Sequence, residues 1–242
     1  MAAKAPAEKP ATAPAIDPAA LYALEVMSGK LRDLTAFTVD ADATRQLVLD
    51  NGQRIDTSGT VSYAVRKPDR FFASIDSDRQ QRRYYFDGTN LTIYAPRMNF
   101  FAVVPAKGTV AELVLMAKDK FGIDMPLADL FLWGTERAPL SLIDSATVIG
   151  PAHVGGAECD QLAFRQKDVD WQLWIDRATL LPRKLVIVDH SDPALPQYSA
   201  LLTWNTSPKF TDTQFTFSPG KDDHRIEMHP ANEAGASEEG SP

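Results

Sequence analysis

The pattern of apolar and polar positions changes period several times along the chain, and each change marks an element. Leu21, Leu24, Val26, Met27, Leu31 and Leu34 recur at near-helical spacing after Asp17 and Pro18, an N-cap residue followed by a first-turn proline, so a helix is predicted from about Pro18 to Leu34. From Thr35 the period falls to two. Phe37, Val39, Ala41 and Ala43 alternate with Thr38, Asp40, Asp42 and Thr44, and Leu47 and Leu49 keep the parity, which gives a strand with one dry face and one wet face. Asp50-Asn51-Gly52-Gln53 is hairpin chemistry, because Asn and Gly tolerate positive φ, and Val61, Tyr63 and Val65 lie on the returning strand.

Strands are then expected at Arg70 to Asp76, Arg82 to Phe86, Asn90 to Tyr94 and Asn99 to Val104, an antiparallel meander broken by polar, Asp-Gly and Pro-containing turns. A helical interlude follows. Thr109 is placed to cap a helix over Ala111 to Lys120, and Pro126 opens a short, greasy segment holding Leu127, Leu130, Phe131, Leu132 and Trp133. After Pro139 the β pattern returns at Ala146 to His153, Glu158 to Lys167, Val169 to Asp176, Leu185 to Asp189, Tyr198 to Trp204 and Thr213 to Phe217. About eleven strands in one run predict an α+β domain: a single, strongly curved antiparallel sheet, an unclosed half-barrel, with the N-terminal helix and the short central helices covering its concave face.

Composition bounds the domain and narrows its chemistry. Residues 1–16 and 220–242 are rich in Ala, Pro, Glu, Gly and Ser and are expected as tails, because they bury too little apolar surface to offset their ordering entropy; the domain is expected over 17–219. The opening MAAKAPAEKPATAPAIDP resembles a linker left by export processing, so removal of a signal peptide is expected. No run of about 18 apolar residues exists to make a membrane-spanning helix. The net charge of -7 argues against nucleic acid as a partner, and the basic cluster Arg79 to Arg83 is flanked by Asp76 and Asp78.

Candidate chemistry is sparse. The single cysteine, Cys159, closes no disulfide, and the four histidines, His153, His190, His224 and His229, form no metal-ligand motif, so no metal or other cofactor is expected. There is no Gly-x-Ser-x-Gly elbow and no glycine-rich phosphate loop. Asp168, Asp170 and Asp176 flank Trp171 and Trp174 on a strand and read as solvent-side or turn residues rather than an acid/base pair. What the sequence has in excess is aromatic and aliphatic groups on strands. Each alone reads as core; together they exceed what an ordinary core needs. A curved sheet too wide to be filled by its own side chains leaves an apolar cavity suited to lipids or acyl chains.

Several segments together resemble the LolA/LolB-like envelope lipoprotein-carrier superfamily, including its branch of predicted periplasmic proteins. They are Leu34 to Val39, Ser58-Gly59-Thr60-Val61, Arg66-Lys67-Pro68-Asp69-Arg70-Phe71, Tyr85 to Tyr94 with its Asp87-Gly88 turn, Trp174-Ile175-Asp176, Leu181-Pro182-Arg183-Lys184 and Phe215 to Pro219. The resemblance implies a helix-capped half-barrel in the Gram-negative envelope or periplasm, an apolar cavity that receives lipoprotein acyl chains, and no enzyme.

The site expected on this reading is a cavity lined by Phe37, Val39, Val61, Tyr63, Leu91, Ile93 and Trp171, with Arg45 on the same strand parity as a polar contact. Leu113, Met116, Phe131 and Trp133 are expected to form a plug or lid. The expected partners are lipid or lipoprotein acyl chains bound by a monomer. The alternative is an interaction or stress-sensing module that receives a segment of another envelope protein by strand addition, with weak lipid binding. A lipid- or glycan-directed enzyme without a recognisable motif is the third possibility.

Overall fold

The computed structural model describes residues 15–231 except Pro139. Helix α1 (Pro18–Asp33) starts where Asp17 accepts a hydrogen bond from the Ala19 amide at 2.8 Å. Its C-terminal carbonyls are held from outside the helix: the Lys67 ammonium donates to the Leu31 and Arg32 oxygens at 2.8 and 3.0 Å. Six strands follow, β1 (Ala36–Val48), β2 (Arg54–Arg66), β3 (Arg70–Ser77), β4 (Gln81–Phe86), β5 (Asn90–Ala95) and β6 (Phe100–Pro105). Each pairs antiparallel with the next.

Helix α2 (Val110–Phe121) and the one-turn α3 (Asp129–Leu132) then lead to β7 (Ser145–Val154), β8 (Ala157–Gln166), β9 (Val169–Asp176), β10 (Pro182–Asp189) and β11 (Gln197–Asn205). α2 is closed at its start by a capping box between Thr109 and Glu112 and at its end by Gly122 in the left-handed conformation, φ 64°. The short segment expected to begin at Pro126 becomes helical only at Asp129, because Leu127 adopts φ 58°, which no helix tolerates.

All strands join one sheet in the order β12-β6-β5-β4-β3-β2-β1-β11-β10-β9-β8-β7, where β12 is His224–Arg225. The first meander spreads outward from β1 to one edge, and the helical stretch carries the chain to the opposite edge. The second meander works back until β11 pairs with β1. The order is open, so the sheet does not close. It curls instead, since inward-facing residues of β1–β6 and β8–β11 share one hydrophobic core with α1, α2 and α3. This is the single sheet with covering helices that the periodicity predicts.

The C-terminal part departs from expectation. Thr213 to Phe217 alternates like a strand, but Asp212–Phe215 forms a 3-10 turn. Phe215 is fully buried against Phe210 and beneath Arg66, while Phe217 sits on the outer face against Tyr85, Tyr94 and Phe101 at 4.8–5.4 Å. The segment from Gly220 was expected as a tail. It supplies β12, parallel to β6, and the Ala231 amide donates to the Lys120 carbonyl at 2.8 Å. At the other end, Ile16 makes a parallel bridge to Ala146 of β7. The remainder of the two expected tails, residues 1–14 and 232–242, lies outside the described residues.

Candidate functional site

The inner face of the sheet is apolar by parity, but it is not filled everywhere. Across the middle of the sheet, register places Gly59 of β2 beside Ala43 of β1 and Ala43 beside Ala200 of β11. Of this row of small residues, Ala43 and Gly59 border a hollow that longer side chains would occupy, while Ala200 is buried in the core. Gly59 also serves the sheet's bend, because a Cβ there would lie 2.8 Å from the Asp76 carbonyl oxygen. Above the hollow, α2 and the 123–132 segment span the face without descending into it.

The result is a half-open cavity of about 980 Å³, toward the end of the sheet that carries the turns at 49–53 and 78–80. That is near the upper end of the range of roughly 300–1,000 Å³ usual for small-molecule sites. Val61, Ile75, Val114, Met125, Leu127 and Leu132 are buried in its walls. Of its eight described charged lining residues, Arg45, Arg79, Lys118, Asp119, Asp124 and Arg137 are exposed and form its rim, while Asp76 and Asp129 are half-buried. A second, smaller cavity of about 90 Å³ lies between Trp133, Leu140, Ile143, Val169, Trp171 and Leu185. Asp129 and Ile187 line both, so the two cavities are neighbours that share a wall. Burial pushes the Asp129 carboxyl above the usual carboxylate range.

The residues expected to line the cavity divide into three groups. Val61 and Arg45 line the large cavity, and Trp171, stacked on Phe164 at 4.0 Å, lines the small one. Phe37, Val39, Tyr63 and Leu91 are at most 2% exposed and are packed into the core, and Ile93 is half-buried against it. Of the expected lid, Leu113 is core, Met116 is half-buried, and Trp133 faces the small cavity. Phe131 meets Tyr63 and Phe71 edge-on at 4.9 and 5.4 Å, and the Tyr63 hydroxyl donates to the Pro126 carbonyl. The plug segment is thus anchored to the sheet at one cluster. Sequence reasoning missed Ala43, Gly59, Ile187 and Tyr198. The available signal was small residues at dry-parity positions in mid-strand.

Among the described residues no cluster of His, Cys, Asp or Glu is arranged to hold a metal ion, and no helix is long and apolar enough to cross a membrane. The fold is thus an open, mostly antiparallel sheet curled around a hollow whose exposed margin is charged. Residues 20–229 match the family described as predicted periplasmic protein (DUF2092), and the chain belongs to that family.

Among solved structures, an uncharacterized conserved protein from Thermus thermophilus is similar at TM-score 0.50 and 11% identity, over 85% of this chain and 99% of that one. A LolA superfamily protein from Nitrosomonas europaea is similar at TM-score 0.36 and 10% identity, over 82% of this chain and 97% of that one. MucB of Pseudomonas aeruginosa, solved with MucA, is similar at TM-score 0.45 and 16% identity, over 86% of this chain and 63% of that one. No curated protein matches the chain.

Proposed function

We propose that this periplasmic-family protein holds an apolar ligand, a lipid or the acyl chains of a lipoprotein, in the cavity between the sheet and α2, as a carrier or chaperone and without catalysis. The observation that carries the reading is the cavity of about 980 Å³, apolar within and charged at its rim. Each methylene buried there contributes about 0.8 kcal/mol, while a polar head stays at the rim with Arg45, Arg79 and Lys118.

The test is titration of delipidated protein with a fluorescent fatty acid, alongside Ala43→Phe, which grows a ring into the hollow from its floor. Saturable binding by the natural chain and at least tenfold weaker binding by Ala43→Phe is the expected result. Absence of binding by the natural chain sinks the proposal. Native mass spectrometry of protein purified from an envelope fraction identifies what travels with it.

One observation favours a second reading, capture of a partner's segment by strand addition. β7 is an outer strand, paired on its free side among the described residues only at Ala146, and Val148 and Ile149 are 38% and 55% exposed. The irregularity beside Gly150 and the proline at 151 interrupt that edge and oppose a long added strand, so this reading comes second.

A further inference from the structure

Three buried side-chain polar atoms lack a protein hydrogen-bond partner among the described residues: Ser28 Oγ, Arg183 Nε and the Tyr198 hydroxyl. Only the last belongs to a residue that lines the cavity. Tyr198 stands directly opposite Arg45 of β1 and Ile187 of β10, and both of these also line the cavity. The contrast with its neighbour Tyr63 is informative, because the Tyr63 hydroxyl is satisfied by the Pro126 carbonyl. A buried hydroxyl left without a protein partner opposes folding unless a water or a ligand supplies the acceptor.

We infer that Tyr198 and Arg45 form a polar subsite for an oxygen acceptor at the head of an acyl chain, an ester carbonyl or a carboxylate. The inference rests on the cavity reading above. Both side chains are donors, Tyr198 on the sheet wall and Arg45 at the rim beside it, and Arg45 forms no ion pair with any described carboxylate, so the pair is suited to a ligand that brings the acceptor. Burial pushes the Tyr198 phenol up to about 12, and the Arg45 charge opposes that rise; the hydroxyl keeps its proton and stays a donor across the physiological range. The aliphatic tail then runs along Val61 and Ile187 toward the small cavity, which Ile187 also lines.

Three probes of equal chain length separate the possibilities: palmitate, methyl palmitate and hexadecane, each measured by displacement of a bound fluorophore from delipidated protein. Tyr198→Phe keeps the ring and removes the donor. It is expected to weaken palmitate and methyl palmitate about fivefold, to leave hexadecane unchanged, and to keep or raise the thermal midpoint of the ligand-free protein. Arg45→Met separates the two head groups. A larger loss for palmitate than for the ester assigns a carboxylate, and equal losses assign a neutral carbonyl. If Tyr198→Phe changes all three probes equally, or none, the subsite is overturned while the cavity stands. If the natural chain binds none of the three, the cavity reading itself fails and the subsite with it.

Discussion

At the scale of single residues, polar partners decide whether a buried group helps or hinders the fold. Tyr63 is 2% exposed, and burial pushes its phenol well above the ordinary value, so its hydrogen bond to the Pro126 carbonyl is made in a dry place. Tyr63→Phe is therefore expected to cost about 1–2 kcal/mol, because it also strands that carbonyl; urea denaturation of the variant checks this. Asp170 gives a pH-dependent case. Arg165 donates to both of its carboxylate oxygens at 2.6 Å, with His190 Nε2 at 3.1 Å, and the bond to Arg165 holds the carboxyl below the usual range. A carboxyl whose folded-state value is lowered contributes stability that is fully present above its unfolded value of about 3.9 and is lost as pH falls through the lowered folded value. Asp170→Asn is expected to flatten the fall in stability between about pH 5 and pH 2, measured by denaturant titrations at each pH. An unchanged slope contradicts it.

At the scale of elements, local chemistry predicts well where one rule governs a segment. The Asp17 and Thr109 caps and the period-two alternation of the strands act within a few residues, and the structure places α1, α2 and β1–β6 close to the positions read from them. The misreadings occur where distant contacts decide. Phe215 and Phe217 look like one face of a strand, yet they dock at two separate places, Phe215 under Arg66 and Phe217 on Tyr85, Tyr94 and Phe101. β12 has no apolar residue of its own; it pairs with the edge of β6, and Phe217, docked on the outer face, precedes it in the chain. Phe217→Ala is accordingly expected to release the strap. Hydrogen exchange at His224 and Ile226, whose amides donate to the Asn99 and Phe101 carbonyls at 2.7 and 2.8 Å, should quicken by at least tenfold while β1 and β2 stay protected. Unchanged exchange at those amides means the strap is held by something other than Phe217.

At the scale of the whole molecule, the sheet's dry face and the expectation of a hollow in it were legible in the sequence, but the hollow's position on that face was not. Alternation tells which side of a strand faces inward, but whether that side is filled depends on which residues become neighbours. Ala43, Gly59 and Ala200 meet only because β11 returns to pair with β1 after the chain has crossed from one edge of the sheet to the other. Large aromatics such as Phe37 and Tyr63, the conspicuous marks in the sequence, fill space and so lie mostly in the core; of the described aromatics only Tyr198 lines the large cavity. A hollow of this kind costs stability when empty and returns it when filled. Acyl ligand at 100 times its dissociation constant is expected to add about 2.7 kcal/mol by mass action, a rise of roughly 5–10 °C in the thermal midpoint for a domain of this size. Ala43→Phe is expected to shift the balance the other way, with a ligand-free midpoint at or above that of the natural chain and little further rise on adding ligand. Thermal scans of both proteins with and without palmitate decide the matter: equal ligand-induced rises place the ligand outside this hollow, whereas a rise confined to the natural chain ties ligand and hollow together.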